Sequence, residues 1–351
     1  MKGTTPPVVW ANDHIQIIDQ TLLPTEVKII EIRNAAQAVD AIQRLAIRGA
    51  PALGAFGSLA LVVALDEVQP SSLAEAKSRL EECRTLIGDA RPTAVNLRWA
   101  VDRVIDQATN AARDLTSLRT ALISEAHAVA AEDEAACNEI GRLGHELLRD
   151  ANVIGTHCNA GRLATAGTGT ALAPMYAKAE AGEPLRVLAS ETRPLLQGAR
   201  LTAWELDDAG IDVTVVPDSA MASTVLSGQV DAYIVGADRI AANGDAANKI
   251  GTVGHALASR EAGIPFYVAA PTSTIDIALA TGNHIEIEQR DAIEVHEIGG
   301  SRLTPQGVTA SNPAFDVTPN HLITAIITEA GVLRAPFEDS IAEALSRVGS
   351  S

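Results

Sequence analysis

Cysteine is scarce, with three in 351 residues, at positions 83, 137 and 158. None belongs to a CxxC pair, which leaves zinc-ribbon and thioredoxin-type readings without support. An odd number in a chain of this length argues against a disulfide framework and for a reducing compartment, so a cytoplasmic location is expected. Aromatic residues make up only 3%, so Ala, Leu, Ile and Val must build the core. Basic residues are also short, 27 Lys plus Arg against 44 Asp plus Glu, for a net charge of −17. That balance argues against nucleic-acid and anionic-membrane partners but leaves room for a local cationic pocket that takes a small anion. The longest apolar run, "APALGAFGSLALVVAL" (50–65), falls short of the roughly 20 residues of a membrane span and reads as a buried helix. The opening "MKGTTPPVVWANDHIQIIDQ" has no apolar h-region, so no secretory signal is expected. There is no Walker A motif, and "AGTGTA" (166–171) lacks the third glycine of a dinucleotide fingerprint, so ATP and nicotinamide sites have no support. His145, His255 and His284 are scattered without metal-ligand spacing.

What is present describes a folded α/β protein. Hydrophobic residues make up 47% and charged residues 20%, and the length suggests two domains. "VVWANDHIQIIDQTLLPTEVKIIEI" alternates apolar and polar residues as short strands do. "NAAQAVDAIQRLAI" (34–47) has helical spacing with Asn34 as N-cap. Helices follow at 71–90, after "RPTAV", and from about 116 to 150. From 151 the pattern changes. "NVIGTHCNAG", "RVLASETRP", "DVTVVPDSA", "VDAYIVGADRI" and "IPFYVAAPTSTID" each read as an apolar strand ending in a polar loop. Helical stretches at 196–210 and 246–262 lie between them. Strands alternating with helices predict a mainly parallel, doubly wound sheet. The resulting division is a small mixed helical/β N-terminal domain (1–120), a connecting helix (121–150) and an α/β C-terminal domain (151–351).

In such sheets ligands sit at the carboxyl ends of the strands, and there the sequence places Cys158, Glu191, Asp218 and Asp238. Cys158 precedes a Gly- and Thr-rich segment. A thiol at a helix N-terminus is biased towards thiolate, whereas a cysteine is equally at home as a small buried hydrophobe. Position alone tilts slightly towards the buried reading for Cys158, and for Cys83 and Cys137, in helical stretches, the buried reading clearly wins. His157 is adjacent to Cys158, but neighbours on a strand face opposite ways, which argues against a direct dyad. Asp238 ends a very apolar strand. A partly desolvated carboxyl holds its proton to higher pH and suits a general acid, the alternatives being a helix N-cap or a salt bridge to Arg239. The following "NGDAANKIGT" adds a turn at Asn243-Gly244 and polar Asn248 and Lys249. Arg48 and Arg91 stand at loop starts beside Gly and Pro. Arg suits phosphate recognition, and the N–H groups of Gly49 and Ala50 would add donors at a helix start. Gln197 lies near another helix start, where it could bind a sugar hydroxyl or equally be a surface residue.

Taken together, these segments resemble the methylthioribose-1-phosphate isomerase family over nearly the whole chain. The resemblance runs through "VVWANDHIQIIDQTLLP", "IRGAPALG", "RPTAVNLRWA", "THCNAGRLATAGTGTAL", "SETRPLLQGARLTAWEL", "VDAYIVGADRIAANGDAANKIGT", "PFYVAAPTSTID" and "NPAFDVTPNHLITAIITE". It implies a Rossmann-like C-terminal domain, a homodimer, and aldose–ketose isomerisation of a sugar phosphate in methionine salvage, with no cofactor. The family's catalytic residues fall on Cys158 and Asp238. Its substrate-binding residues fall on Arg48, Gly49, Ala50, Arg91, Gln197, Asn248 and Lys249. Members often carry Tyr where this chain has Thr168, a difference that bears on the 5′ substituent. Related families isomerise ribose 1,5-bisphosphate or serve as non-catalytic regulatory subunits of a nucleotide-exchange factor. The alternatives are therefore isomerisation of 5-deoxyribose 1-phosphate or ribose 1,5-bisphosphate, or a binding role without chemistry.

Overall fold

In the computed structural model, which describes residues 6–91 and 94–348, the alternating residues at the start of the chain form an antiparallel sheet. Its strands are β1 (Val8–Trp10), β2 (Ile15–Ile18) and β3 (Ile29–Ile32), with β2 in the middle. Ile15 and Ile17 turn to the core, as the two-residue period requires. Helix α1 (Ala35–Gln43) begins where expected, the Asn34 side chain accepting the N–H of Gln37. Helix α2 (Ala50–Val68) has 14 consecutive buried residues, Ala52 to Leu65. A helix apolar on every side must be surrounded, and α1, α3 (Leu73–Gly88) and α4 (Val95–Ala111) pack on it. Among the described residues it is the one helix long and apolar enough to cross a membrane, yet it forms the centre of this hydrophobic core. Helix α5 (Leu115–Leu147) follows. Residues 92–93 of the "RPTAV" loop lie outside the described residues.

The remainder is built on a seven-stranded sheet. Its strands are β4 (Val153–Thr156), β5 (Arg186–Ser190), β6 (Asp212–Val216), β7 (Ala232–Val235), β10 (Phe266–Ala269), β15 (Ala325–Thr328) and β16 (Gly331–Leu333). Helices α6 (Ala173–Glu180), α7 (Ala203–Asp208), α8 (Asp218–Leu226) and α9 (Thr252–Ala262) connect them. Strand order is β16-β15-β10-β7-β4-β5-β6, with every pair parallel except β15–β16. β7, β10 and β15 are buried on both faces, which is why they read as continuous apolar runs. The chain travels outward from β4 to β6, then returns to place β7 on the other side of β4. The sheet's topological switch point thus lies between β4 and β7, where doubly wound sheets open a crevice for ligands.

One expectation is corrected here. Residues 246–249, read as part of a helix, form strand β9 (Ala246–Lys249) of a small second sheet. That sheet contains β8 (Arg239–Ala241), β11 (Ile275–Asp276) and β14 (Phe315–Thr318), in the order β11-β8-β9-β14. The Asn243-Gly244 turn, with Gly244 at φ +86°, folds β9 back on β8, and pairing with β14 buries all four residues, overriding the helical preference of Ala246 and Ala247. Short elements α10 (Ile293–His296), β12 (Glu297–Ile298) and β13 (Ser301–Arg302) precede β14, and α11 (Phe337–Val348) closes the described chain.

By internal contacts the chain divides into two units. Of the described residues, one comprises 6–138 together with Ala160–Gly169, and the other Glu139–Asn159 with Thr170 onward. The boundary at 138/139 falls inside α5, within the expected connector (121–150), whereas the segment 160–169 groups with the first unit rather than with the domain expected to start at 151.

Candidate active site

The nine candidate residues divide between the units. Arg48, Gly49, Ala50 and Arg91 belong to the first, and Cys158, Gln197, Asp238, Asn248 and Lys249 to the second.

In the first unit, "IRGAP" forms the entry to α2. Gly49 is its N-cap at φ +96°, with Pro51 in the first turn. A Cβ on Gly49 would lie 2.4 Å from the carbonyl oxygen of Ala164, so both backbone angle and contact demand glycine here. The partner is the short 3₁₀ turn Arg162–Ala164 of segment 160–169. Gln20 links the two, accepting from Arg48 Nε at 3.3 Å and donating to the Leu163 carbonyl at 2.8 Å. Arg91 is half-buried at a loop.

In the second unit, Cys158 follows β4 and Asp238 follows β7. The two strands are hydrogen-bonded neighbours, with Ile154 opposite Ala232 and Gly155 opposite Tyr233. Both residues therefore leave adjacent strands at the same, carboxyl end, at the switch point. Both are half-buried. Helix α6 starts only at Ala173, so the expectation that Cys158 sits before a helix N-terminus is not met. Cys158 instead takes a left-handed backbone angle, φ +63°. Its N–H donates to Thr192 Oγ1 at 2.9 Å, and its carbonyl accepts from Thr202 Oγ1 at 2.6 Å. Cys83 and Cys137 are buried, with thiols pushed up to about 11 and about 12 by burial, as inert packing residues should be.

Asp238 does not cap a helix, because β8 begins at the next residue. Arg239 pairs with Asp276 at 3.5 Å. The Asp238 N–H donates to the Ala247 carbonyl at 2.9 Å, and the register Arg239 opposite Ala247 sets Asp238 across from Asn248. The small sheet thus brings Asp238, Asn248 and Lys249 together. Asn248 donates to Thr252 Oγ1 at 3.1 Å. Lys249 Nζ donates to the Ala314 carbonyl at 2.8 Å and lies 4.4 Å over the Phe315 ring. Gln197 is only 7% exposed, and its Oε1 has no hydrogen-bond partner among the described residues. A buried amide oxygen is costly to leave unsatisfied.

Sequence reasoning missed the groups that hold these residues. His157 and Cys158 both lie beyond the end of β4, so strand alternation does not apply to them, and the His157 ring has partners of its own. Its Nε2–H donates to the Ile250 carbonyl at 2.9 Å, and Nδ1 meets Ser190 Oγ at 2.5 Å and His255 Nε2 at 3.2 Å. Burial pushes His157 down to about 4 and His255 to about 3, so both are neutral. Asp218 accepts the N–H groups of Thr192 (2.8 Å) and Arg193 (2.6 Å). Asp316 accepts from Gly251 N–H at 2.7 Å at the start of α9, and burial raises its carboxyl to about 6. The polar strand-end loops marked Glu191 and Asp218 as unusual, but not Thr192, and no local signal assigns their partners.

Comparison with known proteins gives a consistent picture. Residues 46–335 match the Initiation factor 2 subunit family. The chain is 50% identical to the 5-deoxyribose 1-phosphate isomerase of Moorella thermoacetica, over 97% of each chain. It is 48% identical to the methylthioribose-1-phosphate isomerase of Geobacillus thermodenitrificans, over 95% of this chain and 94% of that one. Among solved structures it resembles the 5-methylthioribose 1-phosphate isomerase of Pyrococcus horikoshii OT3. That likeness has a TM-score of 0.92 and 39% identity, and covers 99% of this chain and 97% of the other.

Proposed function

The chain belongs to the Initiation factor 2 subunit family, and from that premise we propose that it converts 5-methylthioribose 1-phosphate to 5-methylthioribulose 1-phosphate, a step of methionine salvage. It is an enzyme of the aldose–ketose isomerase class, as its relatives named for sugar 1-phosphates are. The observation that carries the catalytic assignment is the emergence of Cys158 and Asp238 from adjacent strands, β4 and β7, at the switch point.

The chemistry sets the requirements. Phosphate on the anomeric oxygen prevents the sugar from opening as a free hemiacetal, so the bond from C1 to the ring oxygen must break with the phosphate retained. Asp238 donates a proton to the departing ring oxygen. Hydrogen then moves from C2 to C1, and the 2-hydroxyl gives up its proton as C2 becomes a carbonyl, restoring the acid. Cys158 serves the transfer, either relaying the C2 hydrogen as a proton through an enediol or positioning the substrate for a direct hydride shift. Arg48, Arg91, Lys249 and the amides of Gly49 and Ala50 are assigned to the phosphate, and Gln197 and Asn248 to the hydroxyls. The rearrangement is redox-neutral within one molecule and balances without a cofactor. The reading includes a cytoplasmic homodimer with no nucleic-acid or membrane partner.

A second reading, isomerisation of 5-deoxyribose 1-phosphate, is favoured by the 50% identity to a relative named for that activity. Incubating the pure protein with the 5-methylthio, 5-deoxy and 5-phospho forms of ribose 1-phosphate and following ketose formation ranks the readings. The highest kcat/KM is expected on the 5-methylthio sugar. Preference for the 5-deoxy form selects the second reading, and no turnover on any of the three overturns the isomerase assignment to these substrates.

A further inference from the structure

Cys158 is a left-handed residue that is not glycine. An L side chain disfavours that backbone region. Were only the chain path at stake, glycine would serve, so a cysteine there keeps its side chain at a cost the surroundings must offset. The surroundings supply two clamps, one on each peptide group. Thr192 Oγ1 accepts the Cys158 N–H at 2.9 Å and donates its own proton to the Ser190 carbonyl at 3.0 Å. Thr202 Oγ1 donates to the Cys158 carbonyl at 2.6 Å and accepts from Asn159 Nδ2 at 3.2 Å, while that amide also donates to Glu205 at 2.8 Å. Each hydroxyl thus has its one proton and a lone pair committed, and both threonines are completely buried. Thr192 is itself left-handed at φ +66°, an unusual state for a β-branched residue. The Asp218 carboxylate holds it there by taking the N–H groups of residues 192 and 193. Gly198 lets the two segments meet, since a Cβ on it would lie 1.8 Å from the Ser190 carbonyl oxygen and 2.9 Å from Thr192 Oγ1.

We infer that Thr192 and Thr202 are positioning residues for the isomerisation, fixing the two peptide groups of Cys158 and thereby where its thiol is presented. This rests on the reading of Cys158 as part of the chemistry. It calls for a hydroxyl at each position and nothing more of the side chain, so serine replaces threonine and valine does not.

The test compares Thr192→Val and Thr202→Val with Thr192→Ser and Thr202→Ser on the full chain. It measures kcat and KM on the turned-over sugar 1-phosphate, thermal unfolding, and the rate of native-state alkylation by iodoacetamide from pH 6 to 10. Cys83 and Cys137 are buried, so native alkylation reports Cys158. A reacting group displaced by about an ångström loses on the order of 10²-fold in rate. Each valine variant is therefore expected to lower kcat by at least about 10-fold with KM within about two-fold, and to change the alkylation rate, with serine restoring both. Valine variants that match wild type in kcat and alkylation overturn the inference. So do variants that lose only thermal stability with the alkylation profile unmoved. The two valine variants are independent, so misfolding of one leaves the other to decide. Cys158→Ala separates the two levels: if it turns over like wild type, the reading of Cys158 fails, whereas an inactive Cys158→Ala beside silent valine variants sinks the positioning role alone.

Discussion

At the scale of single residues, the strongest expectations concern Cys158 and Asp238. Positioned groups that move protons contribute about 10²- to 10⁴-fold, so Cys158→Ser and Asp238→Asn should each lower kcat by about 10²-fold or more, measured as initial rates of ketose formation. Near-wild-type turnover in either variant removes that residue from the chemistry. Substrate deuterated at C2 separates the routes: label lost to water excludes a direct hydride shift, and full retention at C1 excludes exchange through a free enediol. The strand-end position of both residues was legible in sequence, because an apolar run closing on a polar loop marks the carboxyl edge of a parallel sheet. Their partners were not. Thr192 and Thr202 lie 34 and 44 residues from Cys158 and meet it only through folding. Nor does composition reveal that Cys158 is left-handed. That property comes from the clamps around it, not from a turn motif.

At the scale of elements, what sequence shows depends on how much of an element's environment is local. Helix α2 was legible because being apolar on all sides admits only burial. Leu61 is wholly buried in it, and truncating a buried leucine removes contacts that neighbours refill only in part. Leu61→Ala should therefore cost about 2–5 kcal/mol, seen as a lower denaturant midpoint with an unchanged slope. A loss under about 0.5 kcal/mol, the range of surface substitutions, would mean the helix is not held as described. Strands β4, β5, β6, β7 and β10 were equally legible, each at least four residues long with at least half of its residues Val, Ile, Leu or Ala. Strand β9 was not. "AANK" carries two good helix formers, and only pairing with β8 and β14 on either side makes it extended. That strand is the element setting Asn248 and Lys249 beside Asp238, so the misread segment is also the one that assembles this part of the site.

At the scale of the whole molecule, opposed groups buried in the second unit contribute to the dependence of stability on pH. His157 and His255 have folded values near 4 and 3, below the ordinary 6.5, because burial penalises their charged forms. The unfolded chain binds protons first as pH falls, so their contribution is complete above about 6.5 and is lost on the way down through 4 and 3. Asp316 acts in the opposite sense. Its folded value near 6 lies above the ordinary 3.8, so its contribution is present at low pH and is lost as pH rises from about 4 through 6. Two histidines oppose one carboxyl, and the histidines face each other at 3.2 Å, so charging both adds repulsion. The net charge of −17 also relaxes as pH falls towards 4.8, which favours the acid side but is weakened by salt. In about 0.2 M salt, where the Debye length drops below about 8 Å, the unfolding midpoint should climb from pH 4.5 to 6.5. His255→Gln, which removes one of the two buried titrations, should flatten that climb, and Asp316→Asn should steepen it. Denaturant titrations of the three proteins at several pH values read this directly. If wild type instead loses stability across that interval, Asp316 outweighs the histidine pair, and the imidazoles are not held neutral in the way their burial requires.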